Sequence, residues 1–424
     1  MRIAVVGTGI AGNVAARKLR GEFDITVYEA ESYVGGHTNT VDVVEDGRTI
    51  PVDTGFIVFN DRTYPNFISL LDEIGQDSKP SSMTFSVHAA NDALEFSGTG
   101  LNGLFAQRRN LLRPTFHRMV RDILRFNREA QDDIQRAAGS VTVGDYLREQ
   151  RYSDEFTYNY LVPMVAAIWS AEPAAVADMP ADFLVRFFGN HGLLQLKDRP
   201  QWRVIEGGSR EYVKKLVAGH EKNIRLNSAV TAIHRKAEGV EITTACGNRE
   251  WFDYAFIACH SDQALHMLQD ATAIEREVLG AIRYQDNEAI LHTDVKVLPK
   301  RRRAWSAWNY YVPTGEQRQV SVSYNMNILQ GLETRETYCV TLNDDARIEP
   351  GRIIKRIQYQ HPIYTREATA AQARQSEVNS GRTYFCGAYW RNGFHEDGVV
   401  SALNAVAHFE EQLKNAQLYI RRTG

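Results

Sequence analysis

Along the chain, apolar and polar positions alternate between strand-like and helix-like periods. Ile3 to Val6 form a short run of β-branched and small apolar residues, the pattern of a strand buried on both faces. After three glycines, apolar residues mix with Arg and Lys up to Leu19 as in a helix, and "DITVYEA" then reads as a second strand. Residues from about 62 to 199 carry mostly helical patterning, whereas those from about 287 to 370 alternate like strands. "NIRLNSAVTAIHRKAEGVEITTACGNREWFDYAFIACH" reads as a run of strands, and "RTYFCGAYWRNGFHEDGVVSALNAVAHFEEQL" as strand, glycine-rich turn and helix. The most apolar stretch, "YLVPMVAAIWSA", contains Pro163 and stops at Glu172, short of the ~18 residues that a bilayer requires.

Composition narrows the class. With 424 residues, 43% of them hydrophobic, the chain can bury the cores of two domains. A formal net charge of -3 gives no general attraction to nucleic acid, and no nucleic-acid-binding module is recognisable. Cys246, Cys259, Cys339 and Cys386 have neither CxxC nor metal-type spacing, which fits a reducing, cytoplasmic compartment and no metal site. "IAVVGTGIAG" follows a single Arg and lacks a small-residue cleavage site, so it reads as mature structure rather than a signal peptide.

Gly7, Gly9 and Gly12, with Ala11 between them, give GxGxxG directly after a strand and at the start of a helix. The first glycine permits the tight turn, the second admits a pyrophosphate to the backbone, and the third lets helix and strand pack closely. Glu29, followed by Ala30, ends the second strand, where a carboxylate accepts ribose hydroxyls and repels the 2'-phosphate of NADP. Just beyond come Gly35, Gly36, His37 and Thr38, then Asp53, Gly55 and Phe56, small and polar turns of the kind FAD proteins need and NAD dehydrogenases usually do not.

Through these residues the chain resembles the flavin-containing amine oxidase superfamily, which includes monoamine oxidases, protoporphyrinogen oxidase and phytoene desaturases. "GGS" at Gly207 to Ser209, "AIWSA", "LHTD" and "GFHEDG" make it similar to bacterial proteins described as predicted NAD/FAD-binding amine oxidases. The resemblance implies an α/β fold: a Rossmann-type, glutathione-reductase-like FAD-binding domain from residues 1–61, 200–286 and 371–424, and an α+β substrate domain with a helical cap from 62–199 and 287–370. It also implies that Val230 offers its backbone to the adenine and that Ala258, Cys259 and His260 pass near the cofactor. Gly387 and the turn Gly393, Phe394, His395, Glu396, Asp397, Gly398 and Val399 are implied to lie at the pyrimidine edge of the flavin, where amides stabilise charge on the reduced ring.

Flavin oxidation moves a hydride to N5 and needs no protein nucleophile, consistent with the lack of a G-x-S-x-G elbow, zinc motif or P-loop. No second dinucleotide fingerprint is present, which points the electrons toward oxygen, a quinone or another carrier. On "NEAILHTDVKVLP", where the family often carries a lysine near N5, Asn287 stands at the matching start and Lys296 comes several residues late. Asn287, Ala289 and Leu291 share one face of that strand, and His292 and Asp294 the other. His292 is either a base oriented by Asp294 or a hydrogen-bonded structural residue; His395 is expected beside the flavin whatever its role. Phe394, with Tyr389 and Trp390 nearby, matches one side of an amine-caging aromatic pair. The aromatics of "AWSAWNYYV" read equally as the lining of an apolar tunnel or as strand core.

Arg118, Arg121, Arg125 and Arg128 fall on one face of a helix starting at Pro114, opposite Phe116, Met119, Val120, Ile123 and Leu124. This is either a plain surface helix or a dock for an anionic membrane surface at the inner face of the membrane, extended by "KRRR" at Lys300 to Arg303. The expected function is an FAD-dependent oxidase or desaturase acting on a lipophilic substrate, foremost a fatty acyl chain. The alternatives are a soluble amine or polyamine oxidase releasing hydrogen peroxide, and a flavin-binding accessory protein of a lipid-modifying enzyme.

Overall fold

The apolar run at residues 3–6 is the middle strand of an all-parallel sheet. In the computed structural model, which describes residues 1–136, 141–169, 173–195, 197–313 and 321–423, this sheet runs Ile224–Arg225, Asp24–Tyr28, Arg2–Val6, Tyr254–Ile257 and Thr383–Phe385. Ile3, Ala4 and Val5 have no exposed surface because both faces are covered. On one face lie the helices Ile10–Leu19, Arg210–Val217 and His395–Thr423, which bury Val14, Tyr212 and Ala402 against Ile3 and Val5. The other face carries a three-stranded antiparallel sheet over 230–252 with the helices Ser261–Met267 and Ala273–Gly280, packed on Ala4 and Val6.

A second, mixed sheet has seven strands, in the order Ile353–Ile363, Arg283–His292, Cys339–Leu342, Ser321–Asn325, Trp308–Val312, Phe85–Ala89 and Glu95–Ser97. One face of it presents Val87, Ala289, Leu291, Tyr310, Val322 and Val340 to Phe116 and Met119 of the helix Pro114–Arg136 and to Ala166 and Ala167 of the helix Val162–Trp169. Those helices belong to a cap with its own core around Phe126, Phe156, Leu161, Phe183 and Phe188. The rest of "AIWSA" and Glu172 lie outside the described residues.

The expected segment limits shift at three places. Tyr64, Phe67, Leu70 and Leu71, in and beside the helix Pro65–Glu73, pack into the parallel-sheet core rather than the cap. The strand expected to open at Asn287 begins at Arg283, and the helix Arg366–Gln372 buries Ala368 and Ala371 under the parallel sheet. In each case periodicity correctly signals a buried face without saying which core receives it. Among the described residues no helix is long and apolar enough to cross a membrane, and all four cysteines are free thiols.

Candidate functional site

At the end of the first strand the chain is held by main-chain contact. Gly7 turns at φ +100°, and a Cβ there would lie 3.1 Å from the Ala258 carbonyl oxygen. A Cβ on Gly12 would lie 2.0 Å from the carbonyl oxygen of Gly7, so the helix Ile10–Leu19 can approach its strand only with glycine there. Gly36, at φ +58°, packs on Gly9, its Cβ position falling 3.1 Å from Gly9 Cα. The second glycine pair therefore serves an approach of two loops to one another. Gly9 itself faces open space, and the helix it precedes has no side-chain cap, which leaves first-turn amides free for an anion. Glu29 stands beside this loop, accepting from the Thr8 N–H at 2.9 Å, the Thr8 hydroxyl and the Glu31 N–H at 2.9 Å, with Ala30 exposed next to it. Val230 and Cys259 each pack against the core behind the second strand.

The other end is built from side chains. His395, the first residue of the helix His395–Thr423, bonds through Nε2 to Thr38 Oγ1 at 3.0 Å and to the Tyr212 hydroxyl at 2.9 Å, and its ring lies flat on Phe56, centroids 3.4 Å apart. Burial holds its pKa well below the usual histidine value, so the ring is neutral. Gly55 is tight against the His37 carbonyl, where a Cβ would come within 2.2 Å. His37 stacks on Tyr359 at 4.8 Å and lies 6.1 Å from His260 and 5.5 Å from His361; His260 stacks on Tyr284 at 4.4 Å. Burial lowers His37 and His260 to about 4 and His361 to about 3, so none carries charge at neutral pH. Asn287 joins this group, its Nδ2 3.0 Å from His361 Nδ1 and its Oδ1 accepting from Asn343 at 2.7 Å.

Several expected site residues do other work. His292 Nδ1 accepts the backbone N–H of Asp294 at 3.0 Å and its Nε2 pairs with Thr341 Oγ1 at 2.7 Å, while the Asp294 carboxylate takes the N–H groups of Lys296 and Glu349. No base-and-carboxylate pair forms there, because the strand ends at His292 and both groups satisfy the turn that follows. Asp53 accepts from Thr40, Ser209 and Gln330, clamping the Gly207–Gly208 turn to the hairpin Thr40–Glu45/Arg48–Asp53. Glu396 accepts from the N–H groups of Asn66 and Phe67, capping the helix Pro65–Glu73. Gly398 lets the last helix meet Ile10, a Cβ there falling 2.6 Å from Ile10 Cγ2; Val399 is core beside it, and Gly387 donates to Ser401 Oγ. Phe394 lies nearly parallel to Phe187, centroids 5.3 Å apart, whereas Tyr389 and Trp390 are buried behind the parallel sheet. Trp308 and Tyr310 pack in the core of the mixed sheet and Tyr311 lies under Arg347, so this strand is core and not a tunnel wall.

Tyr212, Tyr284, Tyr359 and His361 were not visible as site residues in the sequence. For Tyr359 and His361 one signal was present, their spacing of two in "QYQHPIY" on one face of the strand Ile353–Ile363; Tyr212 and Tyr284 had none. The donor set suits a flavin dinucleotide: an uncapped helix start and open glycine for the pyrophosphate, an acid beside them for the ribose, and two buried imidazole nitrogens, His37 Nε2 and His260 Nδ1, without partners.

A family model described as flavin containing amine oxidoreductase matches residues 10–408. The Mycobacterium tuberculosis protein named "Putative flavin-containing monoamine oxidase AofH" is 30% identical over 260 residues, 58% of this chain and 54% of that protein. The chain thus spans about half the length of the curated relatives it matches. Among solved structures, cyclohexylamine oxidase from Brevibacterium oxydans superposes with a TM-score of 0.69 at 16% identity, covering 97% of this chain and 99% of that one. A CLA-producing fatty acid isomerase from P. acnes superposes with a TM-score of 0.62 at 16% identity, covering 96% and 98%.

Proposed function

The chain belongs to the flavin-containing amine oxidoreductase family and is an FAD-dependent oxidoreductase, and from that premise we propose that it oxidises or desaturates a fatty acyl chain. The observation that carries this reading is the apolar lining of a small gap under the cap. Trp169, Ala175, Met179, Pro362, Ile363 and Tyr364 form it with Gln285, and among the described residues no acidic side chain takes part. An alkylamine is a cation at neutral pH and calls for a carboxylate or an open pair of rings. Here Phe394 is covered by Phe187 instead. The fatty acid isomerase of P. acnes has the same fold, which supports an acyl chain as a substrate this architecture can accommodate.

Flavin, when bound, supplies the two-electron acceptor at N5. The protein's part is to hold a carbon in place, exclude water and keep nearby groups neutral. Phe187 and Phe394 close the apolar side, and the Tyr364 hydroxyl, buried without a partner among the described residues, is the donor offered to a polar end of the substrate. The hydrogen bonds of His395 to Thr38 and Tyr212 fix the start of the last helix.

Anaerobic mixing of the FAD-loaded protein with unsaturated or methyl-branched fatty acids, followed by the visible flavin absorbance, tests the proposal. Acyl substrates are expected to bleach the flavin and alkylamines or polyamines to leave it oxidised. Bleaching by amines with hydrogen peroxide release on readmitting air would make it an amine oxidase. A flavin that no lipid, amine or nicotinamide donor bleaches would make it an accessory protein.

A further inference from the structure

Four leucines stand out from the surface of one region: Leu112 is 88% exposed, Leu101 76%, Leu111 49% and Leu124 46%. Scattered single leucines on a surface are ordinary, but these share a neighbourhood. Leu101 opens the short helix Leu101–Leu104, which is tied through Asn102 to Arg108 at 2.6 Å; the turn Arg108–Leu112 follows, and His117 of the next helix reaches back to the Leu111 carbonyl at 2.9 Å. Leu124 lies two turns beyond His117 on the same face of that helix.

Along residues 99–121 the charge is of one sign, and the nearby acids Asp92 and Asp122 pair with Arg301 and Arg125. Residues 99–121 contain five arginines, at 108, 109, 113, 118 and 121, and no aspartate or glutamate. Arg108 and Arg113 bond to carbonyl oxygens and side-chain amides, which orient them without cancelling their charge, while Arg109 bonds to the Asp92 carbonyl near a carboxylate that Arg301 already pairs. Arg118 and Arg121 are exposed. Arg302 and Arg303, on a turn packed against the helix Leu101–Leu104, add to the same side. The structure also divides the arginine face read from the sequence: Arg125 lies over the Tyr152 ring at 4.0 Å and beside Asp122 at 3.5 Å, and Arg128 pairs with Glu129. Arg118 and Arg121 stay with the leucines and the other two are taken up.

We infer that this face docks on an anionic lipid bilayer, with Leu101, Leu111 and Leu112 entering the acyl boundary and the arginines meeting headgroup phosphates. Separate protruding leucines beside an excess of exposed arginine match a fluid, negatively charged interface, which adapts to projecting side chains without a complementary groove. The docking is independent of what the flavin oxidises.

The test is sedimentation of the FAD-loaded protein with vesicles of phosphatidylglycerol and phosphatidylcholine, against phosphatidylcholine alone. Binding is expected only to the anionic vesicles, with loss in about 0.5 M salt. Arg118→Glu with Arg121→Glu is expected to weaken it by about 25-fold or more, and Leu111→Ser with Leu112→Ser by about tenfold. All four positions are on the surface, so flavin content and melting temperature should not change. The inference is overturned if the wild type ignores anionic vesicles, if both double variants bind like the wild type, or if the leucine variant changes only the size of the protein on gel filtration, which would mark a protein contact. Flavin bleaching plays no part in this readout, so either proposal can fail without the other.

Discussion

The two ends of the candidate cofactor site are made of different material. At the glycine loop the contacts are main chain on main chain, with Cβ positions at Gly12 and Gly36 falling 2.0 and 3.1 Å from backbone atoms. At the histidine end the contacts are side chain on side chain, drawn from Thr38, Phe56, Tyr212 and His395. Backbone contact admits one residue type and fails abruptly; a packed and hydrogen-bonded cluster loses stability by degrees. The first end is therefore expected to respond to substitution as a switch and the second as a scale.

Gly12→Val gives the largest effect. Its side chain cannot be accommodated 2.0 Å from the Gly7 carbonyl, so the loop must open, at a cost of several kcal/mol. The expected outcome is protein that is insoluble or melts far below the wild type without flavin. Gly9→Ala sharpens the point, because a Cβ there meets nothing within 4 Å. That variant should melt like the wild type yet bind FAD at least about tenfold more weakly in a flavin titration, since the pyrophosphate must approach this backbone. Equal FAD binding by Gly9→Ala would detach the loop from the cofactor.

Acid comes next. His37, His260, His292 and His361 have pKa values lowered to between about 3 and 4 by burial, against an ordinary value of about 6.5. The unfolded chain then binds more protons than the folded one between these limits, so stability present above pH 6.5 is lost as pH falls toward 4. Asp53 and Asp397, raised to about 6 by burial, act in the opposite sense, gaining stability as pH falls through 6. With His88, His191 and His220 lowered in the same way, these four histidines and those three outweigh the two acids, and the melting midpoint should drop by about 5–10 °C from pH 7 to pH 5. Since three of the four sit at the histidine end, flavin release should accompany the drop. A midpoint that holds or rises over this range would contradict the neutral histidine cluster.

His395→Ala probes the same end on a smaller scale. It removes a ring stacked on Phe56 and two hydrogen bonds, and about 2–4 kcal/mol is expected to go with them. Urea unfolding should give a lower midpoint with an unchanged slope, and the flavin should stay bound more weakly rather than be lost. Loss as complete as that from Gly12→Val would erase the distinction between the two ends.

How far the sequence reached follows the same division. The strand–loop–helix start was legible because a backbone-only contact demands glycine at fixed spacing, and the parallel sheet followed from strands apolar on both faces. The cluster around His395 was half legible: "GFHEDG" put the residue at the turn into the last helix, but Tyr212 lies on an amphipathic helix and Tyr359 and His361 on an alternating strand, where periodicity marks burial and not neighbours. Asp53 and Asn287 show the limit from both sides. An acid in a loop beside glycines looks the same whether it holds a cofactor or a turn, and Asp53 holds a turn. Asn287, read as the residue that replaces a lysine, reaches the histidines only because the strand beside it, 74 residues on, places His361 two positions from its paired residue Tyr359.

Glu396 is the finest discriminator, and the smallest effect. Its sequence position suggested the flavin edge, while its carboxylate accepts from Asn66 and Phe67 at the start of the helix Pro65–Glu73. Glu396→Gln keeps the shape, removes the charge and turns one acceptor into a donor facing an N–H group, which should cost about 1 kcal/mol of stability. A carboxylate touching the isoalloxazine would, on neutralisation, also change the flavin's visible spectrum and raise its reduction potential, because negative charge near the ring opposes its reduction. The expected result is a lower unfolding midpoint with spectrum and potential unchanged. A shifted potential would move Glu396 from the cap to the ring and show that a helix cap and a cofactor contact are the same carboxylate here.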